Sequence, residues 1–95
     1  MMIEYTGVFA DVSQSPRAKR VVGVKETLKA IERDRAVTVV VARDAEPQVV
    51  AGVLGLAREK GLELVYADSM EFLGKACGIK VGAAVAALLA PATPL

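Results

Sequence analysis

Apolar and polar residues alternate along this chain in blocks whose periods change between about two and about 3.6, and each change marks an element. Residues 1 to 10 mix both types without a period and suggest a loose arm. Ser13 or Asp11 can cap a short helix ending near Lys19, with Pro16 in its first turn. Val21 and Val22 form a brief strand, and Gly23 opens a helix in which Val24, Leu28 and Ile31 fall at i, i+4 and i+7. That helix is expected to end near Arg33 and Asp34. The run Val37 to Ala42 is β-branched and almost unbroken, as in a central strand covered on both faces. Asp44 can cap the helix that Pro47 starts, Val50, Val53, Leu54 and Ala57 give it a buried stripe, and Gly61 stops it after Lys60. Leu62 to Tyr66 reads as a further strand. Ser69, Phe72 and Leu73 begin a helix that breaks at Gly78.

The segment Val81 to Leu89 is read equally well two ways. Its alanines favour helix, whereas its complete apolarity after a glycine turn favours a buried strand. Pro91 to Leu95 is too rich in proline to extend either element and is expected to fray. Strands alternating with helices at this spacing predict an α/β fold, a three-layer α/β/α sandwich around a mixed sheet of about four strands.

With 95 residues, 54% of them hydrophobic, the chain fits one domain with one core. No apolar run approaches the roughly 20 residues that cross a bilayer, and no basic stretch followed by an apolar one marks a secretory signal. The expected location is the cytoplasm, with no membrane partner. Histidine is absent and Cys77 is the single cysteine. An internal disulfide, a zinc site of the usual ligands and the commonest general base are therefore excluded, and no cofactor is implied. Cys77 without an activating base reads as a small core residue, so an enzyme is not expected.

Net charge is only +1, but it is unevenly spread: residues 17 to 35 carry +4, against −2 before them and −1 after. A local basic patch on a near-neutral body suits a focused anionic contact better than wrapping of a long duplex, and no DNA binding is expected. Within the patch, Lys25, Glu26 and Lys29 come round opposite the apolar stripe of the helix that Gly23 opens. Lysines donate to guanine O6 and N7 or to phosphates, while a carboxylate accepts from base amino and imino groups and repels phosphate. Glu26 between two lysines suits a base edge. The plainer alternative is a solvated helix face with an i, i+3 ion pair.

Three motifs, Gly23-Val-Lys-Glu-Thr-Leu-Lys29, Asp44-Ala-Glu-Pro47 and Leu73-Gly-Lys-Ala-Cys-Gly-Ile79, stand in the order and spacing of a known family. Over about residues 12 to 89 the chain resembles the kink-turn RNA-binding ribosomal proteins of the L-seven-Ae and L-thirty-e type, and most closely their small bacterial YbxF-like branch. The resemblance implies an α/β/α sandwich whose last segment is a strand. It also implies a non-catalytic protein that grips the bent RNA loop called a kink-turn, in ribosomal RNA or a riboswitch; a monomer is expected. In that family sheared G·A pairs expose guanine edges and one nucleotide leaves the stack. By the same resemblance Gly23 lets the backbone approach RNA, and Lys25, Glu26 and Lys29 address the G·A guanines and nearby phosphates. Glu46 touches the extruded nucleotide, Val50 lines the apolar side of its pocket, and Ile79, Lys80 and Val81 close over it.

Some positions depart from the pattern. Many archaeal and eukaryotic members have asparagine where Lys25 stands, which here keeps donors but loses an acceptor. Met70 and Val81 replace residues that are often basic. Fewer charged contacts imply weaker binding. A second function compatible with the near-neutral charge is a protein-interaction or assembly module on the same fold, with Met70, Phe72 and the apolar tail as its contact.

Overall fold

The computed structural model describes residues 20–90, so the expected arm, the short helix before Lys19 and the proline-rich tail lie outside the described residues. The elements are β1 (Arg20–Val22), α1 (Val24–Glu32), β2 (Ala36–Ala42), α2 (Pro47–Glu59), β3 (Glu63–Ala67), α3 (Met70–Ala76) and β4 (Val85–Leu89). They form a three-layer α/β/α sandwich. The strand order is β1-β4-β2-β3, with β4 antiparallel to both β1 and β2, and β2 parallel to β3.

Each helix stops where the backbone turns to positive φ: Asp34 at 57° after α1, Gly61 at 68° after α2 and Gly78 at 77° after α3. Asp34 is the one of these that is not glycine, and its short polar side chain tolerates the left-handed region. Its carboxylate also accepts a 2.7 Å bond from Lys60 Nζ, which joins the ends of α1 and α2. The two helices pack against each other, and α3 lies against β3 and β4.

The interior strands carry the core. Val39, Val40, Val41, Val85, Ala86 and Ala87 are all buried, as both-face coverage of β2 and β4 requires. Val37 is the exception in the expected continuous run, at 45% exposed. The pairing of β2 with β4 slips between Ala36 and Thr38, so a bulge turns Val37 out of the regular alternation.

The ambiguous segment divides. Residues 81–84 form a loop, and Val85–Leu89 is the strand that the resemblance implied. Alanine's helix preference amounts to a few tenths of a kcal/mol per residue. Hydrogen-bonded ladders on both sides of β4 outweigh it, and without β4 the edges of β1 and β2 would both be left unpaired.

Candidate functional site

Strand direction decides where the candidate residues meet. Val22 pairs with Ala86 and Val41 with Val85 in antiparallel register, while Ala42 pairs with Ala67 in parallel register. The exits of β1, β2 and β3 and the entrance of β4 therefore all lie at one end of the sheet. Each of α1, α2 and α3 starts from that end. Partial positive charge from the starts of all three helices gathers there.

The first of these turns is built on Gly23, whose φ of 101° and ψ of 159° fall in a region essentially restricted to glycine. Its N–H donates to Val85 O at 2.8 Å, and its carbonyl accepts from Thr27 N at 3.0 Å, so one residue joins the sheet to the first turn of α1. A Cβ here would meet no atom within 4 Å, so it is the backbone conformation and not crowding that calls for glycine. The space outside is open. Thr27, Ala30 and Ile31 turn inward, whereas Lys25, Glu26 and Lys29 are exposed. Lys29 Nζ lies 4.0 Å from Glu26 Oε2, with both side chains more than half exposed. Such a pair contributes little and leaves both groups available to a ligand.

The second turn is occupied by Arg43, Asp44, Ala45 and Glu46. Glu46 is the exposed N-cap residue of α2 and makes no side-chain cap bond. Asp44 does not cap α2 as expected. It stands too early in the turn for that role, and its Oδ1 instead accepts from Met70 N at 2.7 Å, at the start of α3. The parallel pairing of β2 and β3 sets their exits side by side and brings together residues 26 positions apart. Ser69 Oγ accepts from Phe72 N at 3.0 Å, so α3 is capped twice, whereas neither α1 nor α2 has a side-chain cap bond. The two helix starts whose residues the resemblance assigns to RNA are the two left open to an external acceptor.

The loop from Gly78 to Ala84 is folded back on α3. Ile79 N donates to Gly74 O at 3.0 Å and Ala83 N to Met70 O at 3.0 Å. Gly74 is needed for this approach, because a Cβ at that position would overlap the Val81 carbonyl oxygen. Ile79 is half-buried, Lys80 is exposed, and Val81 holds its side chain in solvent at 72% exposed.

Two hollows lie beside β1, one toward the end of α3 and the other along α1. One of about 190 Å³ is lined by Arg20, Val22, Cys77, Gly78 and Ile79, and it sets the loop next to the β1–α1 turn. The other, about 90 Å³, collects Glu26, Lys29, Arg33 and Arg35 along the helix. Gly23, Glu46 and the 79–81 loop thus share one end of the molecule, with Lys25 at its rim. Glu26 and Lys29 continue from there along α1. Val50 is only 4% exposed and belongs to the core beneath α2.

Cys77 is buried, and loss of solvation pushes its thiol above the ordinary value, an effect opposed by the Arg20 guanidinium. Arg20 Nη2 donates to Cys77 O at 2.8 Å and so ties β1 to the end of α3. No group of three or more metal-ligating side chains occurs among the described residues. None of their helices is long and apolar enough to cross a membrane. Two features had no local signal in the sequence. They are the cap from Asp44 to α3 and the placement of Arg43 over the Tyr66 ring, 5.8 Å from its centroid.

Comparison with known proteins agrees with this architecture. The profile of the ribosomal protein L7Ae/L30e/S12e/Gadd45 family matches residues 8–93. An RNA-binding protein of Bacillus pumilus is 51% identical over 69 residues, covering 73% of this chain and 84% of that one. Another from Halalkalibacterium halodurans is 54% identical over 68 residues, covering 72% and 83%. Among solved structures, a 15.5 kDa RNA-binding protein of Giardia lamblia superposes with a TM-score of 0.79 at 26% identity, covering 95% of this chain and 74% of that one. The chain belongs to the ribosomal protein L7Ae/L30e/S12e/Gadd45 family.

Proposed function

We propose that this protein binds RNA and recognises a kink-turn, or a similarly bent internal loop, by docking one preformed surface without catalysis. The reading is carried by the convergence at one end of the sheet of two uncapped helix starts and a loop pinned to α3 that displays Val81. Exposed cations and carboxylates are mixed at that end, with Lys25, Arg43 and Lys80 set among Glu26, Asp44 and Glu46. Such an edge gains little from a phosphate backbone alone. It suits a ligand that also offers base donors to carboxylates.

In this proposal Gly23 admits the RNA backbone, and Lys25, Glu26 and Lys29 take the guanine edges of sheared G·A pairs and the adjoining phosphates. Glu46 and the segment Ile79, Lys80 and Val81 receive an extruded nucleotide, with Val50 supporting the apolar floor from the core. The RNA-binding names of the relatives and the family's ribosomal members support RNA as the ligand and the cytoplasm as its location. A monomer presents the whole surface.

The test is a pair of RNAs, one holding a kink-turn and one with its G·A pairs converted to Watson–Crick pairs. The protein should bind the first at least tenfold more tightly, since each base-directed contact contributes about 1–3 kcal/mol. Equal affinities would refute the proposal. Recovery of a stable protein partner without RNA would favour the assembly module instead.

A further inference from the structure

Arg43 is a cation that neither the fold nor the proposed loop contacts account for. It follows β2 directly, and its backbone N–H donates to Ala67 O at 2.8 Å at the end of β3. Its guanidinium lies 5.8 Å from the centre of the Tyr66 ring. Val41 is paired with Tyr66, and Arg43 comes two residues later, so the two side chains share one face as a diagonal cross-strand pair. The ring restrains a long side chain that would otherwise sample many rotamers, and it leaves the donor edge of the guanidinium free.

Among the described residues no carboxylate pairs with Arg43. Asp44, its neighbour, is engaged with the Met70 N–H, and none of the ion pairs among the described residues includes Arg43. The residue is exposed. β1 and β2 are separated by β4 alone, so the Arg43 exit lies roughly 10 Å across the sheet from the Gly23 exit, at the same end. Arg43 therefore stands at a part of this end that the start of α1 does not occupy.

We propose that Arg43, held in place by Tyr66, contacts a phosphodiester group of the bound RNA outside the bases read by α1. This rests on the RNA-binding reading above. A guanidinium suits the task because its fork of N–H donors matches two phosphate oxygens, whereas an ammonium acts as a point charge.

The experiment measures the affinity of wild type, Arg43→Gln, Arg43→Lys and Tyr66→Leu for a kink-turn RNA, and for its Watson–Crick control, across roughly 50–300 mM KCl. Arg43→Gln should weaken binding to both RNAs by a similar factor, roughly tenfold at the lowest salt, and reduce the slope of log K against log salt by about 0.7–0.9, the loss of one phosphate contact. Arg43→Lys should keep the slope, and Tyr66→Leu should weaken binding while keeping it. If wild type itself fails to distinguish the two RNAs, kink-turn recognition fails but the phosphate contact is still read from the slope. If wild type discriminates and Arg43→Gln keeps the full slope, the contact alone is overturned. A lowered melting temperature with an unchanged slope would make Arg43 a clamp between β2 and β3 and would also overturn it.

Discussion

The carbonyl oxygen of Val81 occupies the space in which any side chain at position 74 would begin, so the loop before β4 is seated on α3 by the absence of a single carbon atom. The seat is completed by the N–H groups of Ile79 and Ala83, which donate to carbonyls of Gly74 and Met70. Rigidity of the Val81 display follows from this contact.

Gly74→Ala should therefore move the loop. Overpacking at so close an approach costs about 1–3 kcal/mol, read as a lower urea midpoint with an unchanged slope. Amide exchange at Ile79 and Ala83 should quicken by more than at Val40, in the core of β2. Unchanged exchange at both loop amides would show that the loop does not depend on Gly74.

Glycine replacements at positions 23 and 52 should have opposite signs. Gly23→Ala forces a side chain into a backbone region open almost only to glycine and should destabilise by about 1–3 kcal/mol. Gly52 lies within α2 with no atom within 4 Å of a Cβ, so Gly52→Ala should stabilise by about 0.5–1 kcal/mol. Thermal unfolding of the two variants settles the matter, and equal shifts in one direction would contradict it.

Lys29→Ala should separate stability from binding. The exposed Glu26–Lys29 pair is worth less than about 0.5 kcal/mol to the fold. A lost base or phosphate contact would weaken kink-turn binding by about 1–3 kcal/mol. A melting temperature that holds while the Kd rises about fivefold or more is the expected result. A Kd that also holds would remove Lys29 from the interface.

Cys77 should react slowly with an alkylating reagent at pH 8 in the folded protein and quickly in denaturant, because burial keeps the thiol protonated. The linkage has a definite sign. The folded thiol loses its proton at higher pH than the unfolded one, so the folded state binds more protons between the two values. Its effect on stability is absent below about pH 8.5 and becomes destabilising as pH rises above it. In Cys77→Ala that alkaline decline should be shallower, which urea titrations at pH 7 and pH 9.5 would reveal.

Much of the fold was legible in the order of residues. The β-branched run at residues 37 to 42, the stripe of Val50, Val53 and Ala57, Pro47 at a helix start and the glycines at 61 and 78 all act within a few positions of themselves. Local patterning suffices for such features. Lys25, Glu26 and Lys29 could be placed on an exposed helix face for the same reason.

What the chain order could not supply is every relationship that depends on strand pairing. Val85–Leu89 is a strand because β1 and β2 flank it, and residues rich in alanine carry no local signal of that. Asp44 caps α3, Arg43 lies over Tyr66 and the Val81 carbonyl rests on Gly74 only because parallel and antiparallel registers bring separate turns to one end of the sheet. Apart from β4, the amino-acid sequence alone determined which segments become helices and strands and most of the side chains they expose, since those choices are made over one or two turns of backbone. The meeting of those side chains in a single surface was decided by the sheet, whose hydrogen bonds join residues that the chain itself keeps far apart.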